Sequence, residues 1–481
     1  MERTDTNDSY GLAKLSPQTT ITTLSTTLSG RSTSPIPETT PILTSSPPQY
    51  RVYRRRYIGL AQISLLNIVV AWSWLTFSAA STTSAAYFNV TEASINWLST
   101  AFLFAFVPVA PLIIWFLNKG GPKHSILVSS AFVLIGNWIR YAGTRATNSD
   151  GHGRFGVVMF GQILIGFAQP FVLAAPTRYS NLWFSDRSRI TATAIASLAN
   201  PLGAALGQLI GPLWITGGDT TTGVTNLVLY TSILSTIICL PAPFIPRVPP
   251  TPPSAFAAEE TLNLGEALRV LPRNTQFWLL FLPFSIYVGF FNAFSSLINQ
   301  TLSPYGYTET QAGIAGGLLI LVGLLASAVV SPIVDRTKKH LLTIKILVPL
   351  IAASYLVLVF MPATRSVAGP YIVCSLIGAT SFSLLPCTLE YLVITTHPVS
   401  PEISSTICWT GGQLLGAVFI IVMNALQGGF KGEPGGSMTR ALVFQAVVAW
   451  VAVPFIVILG LRKLGAWRGL GVERGVTAEI G

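Results

Sequence analysis

Long apolar runs alternate with short polar stretches along almost the whole of this chain. Twelve runs are each long enough to cross a hydrocarbon core of ~30 Å as a helix: 58–84, 94–117, 125–143, 155–184, 189–215, 223–245, 276–302, 312–334, 341–361, 367–394, 404–426 and 440–462. The polar connections are short, except for 246–275 in the middle. The pattern predicts an all-α membrane protein of twelve transmembrane helices in two six-helix halves, 57–245 and 276–463. Residues 1–56 and 464–481 are then tails, and 246–275 is a linker.

Composition excludes a water-soluble globule. Of 481 residues, 51% are hydrophobic and only 10% charged, against roughly a quarter charged in soluble domains. The first 50 residues are rich in Ser, Thr and Pro and poor in large apolar side chains, which predicts a disordered tail. No cleavable signal peptide is expected, because the first apolar run begins only after residue 56. Cys239, Cys374, Cys387 and Cys408 all fall within spans, so no disulfides are expected.

Charge adds an orientation. Basic residues favour the cytoplasmic side of a membrane protein. Nineteen flank the spans at one end of the expected bundle, while Arg145, Arg154, Arg365, Lys431 and Arg440 are the five at the other. Both termini and the linker are therefore expected in the cytoplasm, in a multi-pass, monomeric protein of the plasma membrane rather than an internal one. The net charge of +11 fits this topology and attraction to anionic lipid, not nucleic-acid binding. Asn89-Val90-Thr91 is a glycosylation sequon on the expected outer side. Within the linker, "EETLNLGEALRVLPR" (Glu259 to Arg273) carries a leucine stripe beside charged residues, which suits a short helix lying along the membrane surface.

The chain also repeats itself. A shift of 217 residues puts Trp74 on Phe291, Phe77 on Phe294, Ser78 on Ser295, Thr91-Glu92 on Thr308-Glu309 and Asn118-Lys119 on Asp335-Arg336. Two parallel six-helix copies with substrate bound between them near the midplane resemble the major facilitator superfamily. "DRTKKH" (Asp335 to His340) is similar to that superfamily's acidic-Arg-x-x-basic loop, which implies that Asp335 and Arg336 latch neighbouring helix ends in one conformation. A plain cluster of positive-inside charges is the alternative, but it does not explain the acid. The first-half copy, "NKGGPKH", has Asn118 in place of the acid.

Several further motifs agree with one family. "AWSWLTFS", "INWLSTAF", "GNWIR", "GQILIGFAQPFVLAAPTRYSNLWF", "LANPLGAALG", "SSLINQTL" and "ISSTICWTGGQLLG" resemble the feline leukaemia virus subgroup C receptor-related solute carriers across residues 51–460. The resemblance implies transport of small organic solutes: choline and ethanolamine foremost, with haem export proposed and one branch linked to vitamin B6. It also implies that Trp74 is the choline-binding tryptophan of span 1. A quaternary ammonium has no hydrogen to donate, so aromatic faces hold it best, at about 0.5–2 kcal/mol per contact.

Trp74, Ser78 and Ser81 share one helical face, while Trp72 points elsewhere and is assigned to packing. The family's span 7 tyrosine aligns on Asn292 and its span 5 glutamine on Pro201, so only one wall of the aromatic cage is assured. Phe291, Tyr287 or Trp409 could supply another. Asn292, Ser296 and Asn299 form a polar face on span 7 that suits a substrate with hydrogen-bond donors. Gln162 and Gln169 on span 4, and Thr406, Trp409, Thr410 and Gln413 on span 11, are expected to point inward because unsatisfied amides do not face lipid. Interhelical hydrogen bonding is the equally open alternative for these amides. Gln413 matches a family glutamine.

Intramembrane carboxylates mark proton or ion sites, and Glu390, towards the cytoplasmic end of span 10, is the only one expected within the core. No histidine is expected at mid-span. Facilitated diffusion by alternating access is therefore preferred, with Glu390 gating or pairing with a basic residue. No Walker loop, metal-ligand cluster or nucleophile–base pair is present, so neither an enzyme nor a cofactor is expected. Two alternatives stay open: a haem, porphyrin or vitamin exporter of the same fold, and a non-transporting ligand sensor or receptor.

Overall fold

The computed structural model describes residues 52–146, 153–215, 220–251, 265, 269–396 and 399–460. Twelve membrane-crossing lengths of helix are present among them. The helices are α1 (Arg56–Leu75), α2 (Ser81–Phe88), α3 (Glu92–Arg145), α4 (Phe155–Trp183), α5 (Asp186–Ile215), α6 (Thr220–Cys239), α7 (Thr275–Leu302), α8 (Glu309–Thr337), α9 (His340–Leu358), α10 (Ala368–Thr396), α11 (Pro401–Ala425) and α12 (Thr439–Ile458). Spans 2 and 3 run together as α3, with a kink at Gly121. Span 1 is divided between α1 and α2.

The sequence repeat is visible in the backbone. Thr91 caps α3 by accepting the Ser94 N–H, and Thr308, 217 residues on, caps α8 by accepting the Gln311 N–H. Each threonine satisfies one of the amides that a helix start leaves without a partner. The chain then turns back after span 2 at Gly121 (φ 69°) and after span 8 at Lys338 (φ 55°), again 217 apart. Packing repeats as well: α1 lies along α5, and α7 lies along α11. Phe290 of α7 stacks on Phe419 of α11 at 4.2 Å between ring centroids.

The copies differ in one place that matters. Span 7 is continuous through α7, whereas span 1 breaks after Leu75 into a 3-10 turn, Ser78–Ala80, before α2 begins. Ala80 sits at φ −130°, ψ 52°, outside the helical region. The expected shared face of Trp74, Ser78 and Ser81 is therefore lost, because that expectation assumed an unbroken helix.

The halves meet where α5 crosses α8 and where span 2 lies against α11. No room exists for a Cβ at that first crossing: one at Gly313 would meet the Gln208 carbonyl, and one at Gly317 the Leu209 side chain. At the end of the bundle that carries the 246–275 connection, Tyr53 packs back on the chain leaving span 6, its hydroxyl 3.2 Å from Thr251 Oγ1. The interfacial helix expected over Glu259–Arg273 falls mostly outside the described residues; its last part, Leu271–Arg273, is a 3-10 turn with Leu271 buried. The tails 1–51 and 461–481 also lie outside them.

Candidate functional site

A cavity of about 860 Å³ lies between the halves. It runs from Trp74 and Phe291, the pair related by the repeat, to Glu390 and Pro401 at the end bearing the 246–275 connection. Trp74 is buried, stacks on Phe102 of span 2 at 6.1 Å, and leaves its indole N–H without a hydrogen-bond partner. Trp409 of α11 lines the other half, set edge-on to Phe284 at 5.7 Å. Phe291 and Tyr287 also line it, although the Tyr287 hydroxyl is taken by the Ala449 carbonyl at 2.8 Å.

Amides complete the lining. Asn292 donates its Nδ2 to Gln413 Oε1 at 3.2 Å, joining α7 to α11. On the opposite wall Asn200 donates to Gln169 Oε1 at 3.4 Å, beside Pro201. Five of the seven expected binding residues thus come together: Trp74, Gln169, Asn292, Trp409 and Gln413. Two do not line the cavity. Ser78 is 2.7 Å from Ser99, a contact within the first half. Ser296 is buried with its hydroxyl unpartnered, one turn beyond Asn292. Asn299, the last of the expected polar face, contacts Ser81, Thr82 and Glu309 instead. Trp72 packs on Trp214 at 5.6 Å, as a packing residue should.

The end opposite the cavity mouth is closed by polar contacts between the halves. Thr83 donates its backbone N–H and its hydroxyl to the Glu309 carboxylate, at 3.0 and 2.8 Å. Asn96 and Gln300 exchange hydrogen bonds at 3.0 Å, and Asn96 also donates to Asn424. Gln208 donates to the Ser295 carbonyl at 2.6 Å. Among the described residues, no group of three or more His, Cys, Asp or Glu could hold a metal ion.

Residues 63–420 match the Major Facilitator Superfamily. The chain belongs to it. Solute carrier family 49 member A3 of Danio rerio is 33% identical over 425 residues, which is 87% of this chain and 87% of that protein. The choline/ethanolamine transporter FLVCR1 of Felis catus is 29% identical, over 85% of this chain and 75% of its own length. The superfamily member is thus a divergent FLVCR-related solute carrier. Solved structures share its fold: a bacterial homologue of the lysosomal transporter Spinster (16% identity, TM-score 0.60) covers 85% of this chain and 96% of its own. The xylose transporter XylE of E. coli (12% identity, TM-score 0.62) covers 83% and 97%.

In a superfamily transporter, alternate opening requires groups that hold each end shut. Glu390 is exposed at the cavity mouth. The acid facing the first half there is Glu402 at the start of α11, which lines the cavity with Asn181 of α4 and lies in the field of Arg178. Sequence reasoning missed Glu402 because it stands before the apolar run of span 11. The helix actually starts at Pro401. Arg336 is exposed in the last turn of α8, and the Asp335 side chain lies outside the described ones.

Arg140 was missed as well. It is fully buried in span 3, and the only signal was one basic residue inside the otherwise uncharged stretch 125–143. Asn89 is exposed in the left-handed turn (φ 53°) that ends α2.

Proposed function

We propose that this protein is an alternating-access carrier of a small organic amine, of the choline and ethanolamine kind, driven by the substrate gradient. One observation carries the reading: indoles from opposite halves, Trp74 and Trp409, line one cavity. Aromatic faces attract an organic cation, and a cation held by both halves favours their coming together around it. The Asn292–Gln413 amide pair supports a substrate with its own donors, such as ethanolamine, over fully methylated choline. In the relatives named choline/ethanolamine transporters the cargo has that chemistry.

The test is uptake of radiolabelled ethanolamine and choline by cells or proteoliposomes bearing the protein. Saturable uptake of either, with exchange of internal label for external substrate, is the expected result. Binding without uptake would make the protein a sensor, and the absence of both would remove the amine reading.

A porphyrin cargo is the second reading, favoured by His340, which lines the cavity with its Nδ1 unpartnered. Tight binding of haem that is lost in His340→Ala would replace the amine reading.

We further place both termini in the cytoplasm, in the plasma membrane, with Asn89 outside, on the strength of the nineteen-to-five basic bias. A mass shift on enzymatic deglycosylation that disappears in Asn89→Gln is the expected outcome. The Asp335–Arg336 latch belongs to the same reading: Asp335→Asn should slow uptake while leaving affinity within one state unchanged.

A further inference from the structure

The break in span 1 leaves a helix end inside the membrane. Such an end has up to four carbonyls with no partner in the helix, and no water within the hydrocarbon region to take them. Here side chains serve three of the last four residues of α1. The Trp72 carbonyl accepts from Thr76 Oγ1 at 3.0 Å, and the Ser73 carbonyl from Arg140 Nη1 at 3.1 Å. Gln162 Nε2 lies 3.4 Å from both the Ser73 and the Trp74 carbonyls. Spans 3 and 4 therefore build the joint in span 1.

Arg140 is an unusual group to find there. It is fully buried, and its Nε and Nη2 have no hydrogen-bond partner. Its guanidinium faces the Phe77 ring at 4.8 Å and donates to Asn137 Oδ1 at 3.3 Å. Among the described residues no carboxylate pairs with it. A buried cation without an acid is costly, and two features of the joint offset this. The carbonyl end of a helix carries about half a negative charge, and an aromatic face attracts a cation. Both meet at this joint, where α1 ends at Leu75 and the Phe77 ring lies against the guanidinium.

The group thus held is Trp74. Its own carbonyl and the one before it are the two tied to spans 3 and 4, and its indole stands in the cavity with a free N–H.

We propose that Arg140, with Gln162, is a positioning residue for Trp74: it fixes the broken end of α1, and so the placement of the indole in the cavity, without touching substrate. The cation at 140 then governs substrate affinity through residue 74. The affinity part rests on the amine reading given above; the structural part does not.

Two variants of the full-length protein test it. Arg140→Met removes the charge and the forked donor at similar length. Arg140→Lys keeps the charge without the fork, and it carries the test if the methionine variant does not fold.

The first measurement is amide hydrogen exchange in the purified protein with no ligand. Peptides covering 76–84 should exchange roughly tenfold faster in Arg140→Met, with Arg140→Lys between it and wild type, while 58–70 stays unchanged. Unchanged exchange at 76–84, or an equal rise along the whole of span 1, overturns the proposal.

The second is binding of tritiated ethanolamine and choline in a double-mutant cycle with Trp74→Ala. Arg140→Met alone should weaken binding roughly tenfold, but less than about twofold when Trp74 is already alanine. Losses that simply multiply overturn it. If wild type binds neither amine, the cargo reading falls, and the exchange result decides the positioning role by itself.

Discussion

Thr83 in the first half offers both its backbone N–H and its hydroxyl to the carboxylate of Glu309 in the second, at 3.0 and 2.8 Å. The geometry depends on the break in span 1. Because α2 starts afresh at Ser81, the Thr83 N–H lies in a first helical turn, where it has no intrahelical acceptor and where a negative charge is favoured. Glu309 opens α8, so it also complements the start of its own helix. The Ser/Thr run from Ser81 to Ser84, at the end of the first apolar run, supplies contacts that close one end of the transporter.

Glu309→Gln should therefore loosen that end. Hydrogen bonds to a charged group contribute about 1.5–3 kcal/mol, so the closed-to-open ratio should fall roughly ten- to hundredfold. The check is the labelling rate of Ser296→Cys by an impermeant thiol reagent applied from the Asn89 side. Equal rates in the presence and absence of Glu309→Gln would show that this contact does not hold the end shut.

Trp74→Ala should weaken amine binding by about 1–2 kcal/mol, or five- to thirtyfold. Trp74→Phe should retain part of it, since a smaller ring still offers a negative face. Trp72→Ala removes the stack on Trp214, not the cavity wall, and should lower expression or thermal stability while affinity holds. Isothermal titration at matched purity separates the two. Full affinity in Trp74→Ala would make its indole a packing group.

Asn292→Tyr should raise affinity for choline relative to ethanolamine. The new ring would face a cavity already lined by Phe291 and Trp409, and the amide that donates to Gln413 would be gone. A methylated cation gains an aromatic contact, while a substrate with donors loses a polar partner. Competition of each amine against the other's uptake measures the ratio, and a ratio equal to that of wild type counts against this account.

Glu433, in the connection before α12, gives a pH signature. Burial pushes its carboxyl up, but the hydroxyls of Thr439, Ser437 and Tyr305 together hold it below the ordinary carboxylate range. A depressed value means stabilisation that is full above the unfolded pKa of about 4.3 and is lost as pH falls through the folded one. Glu433→Gln should lower Tm at pH 7 by about 1–3 °C, and the gap to wild type should narrow as pH falls below the unfolded value. A gap that stays the same size on acidification would remove the carboxylate from the explanation.

The spans were legible because hydropathy is a local property: a run of apolar side chains dictates crossing whatever surrounds it. The repeat was legible for a related reason, since Thr91 and Thr308 cap by contacts only three residues long. The break at Ala80 was not, because Ser and Thr are tolerated in a membrane helix as readily as at a turn. Ser78 was misplaced because its partner, Ser99, lies in span 2; Arg140 was missed because the carbonyl it serves lies in span 1, and Glu402 because it precedes the apolar run of span 11.

Sequence alone therefore determined the twelve spans, the two related halves and the residues Trp74, Gln169, Asn292, Trp409 and Gln413 as inward-facing candidates. The spans follow from hydropathy, the halves from the 217-residue repeat, and the candidates from polar or aromatic residues within apolar spans together with the family resemblance. Tertiary structure decided that Trp74 and Trp409 share a cavity, that Ser81 to Thr83 meet the other half instead of substrate, and that a buried arginine holds the joint between α1 and α2. Those outcomes depend on which donors and acceptors packing brings within about 3 Å. No pattern along a single chain segment carries that information.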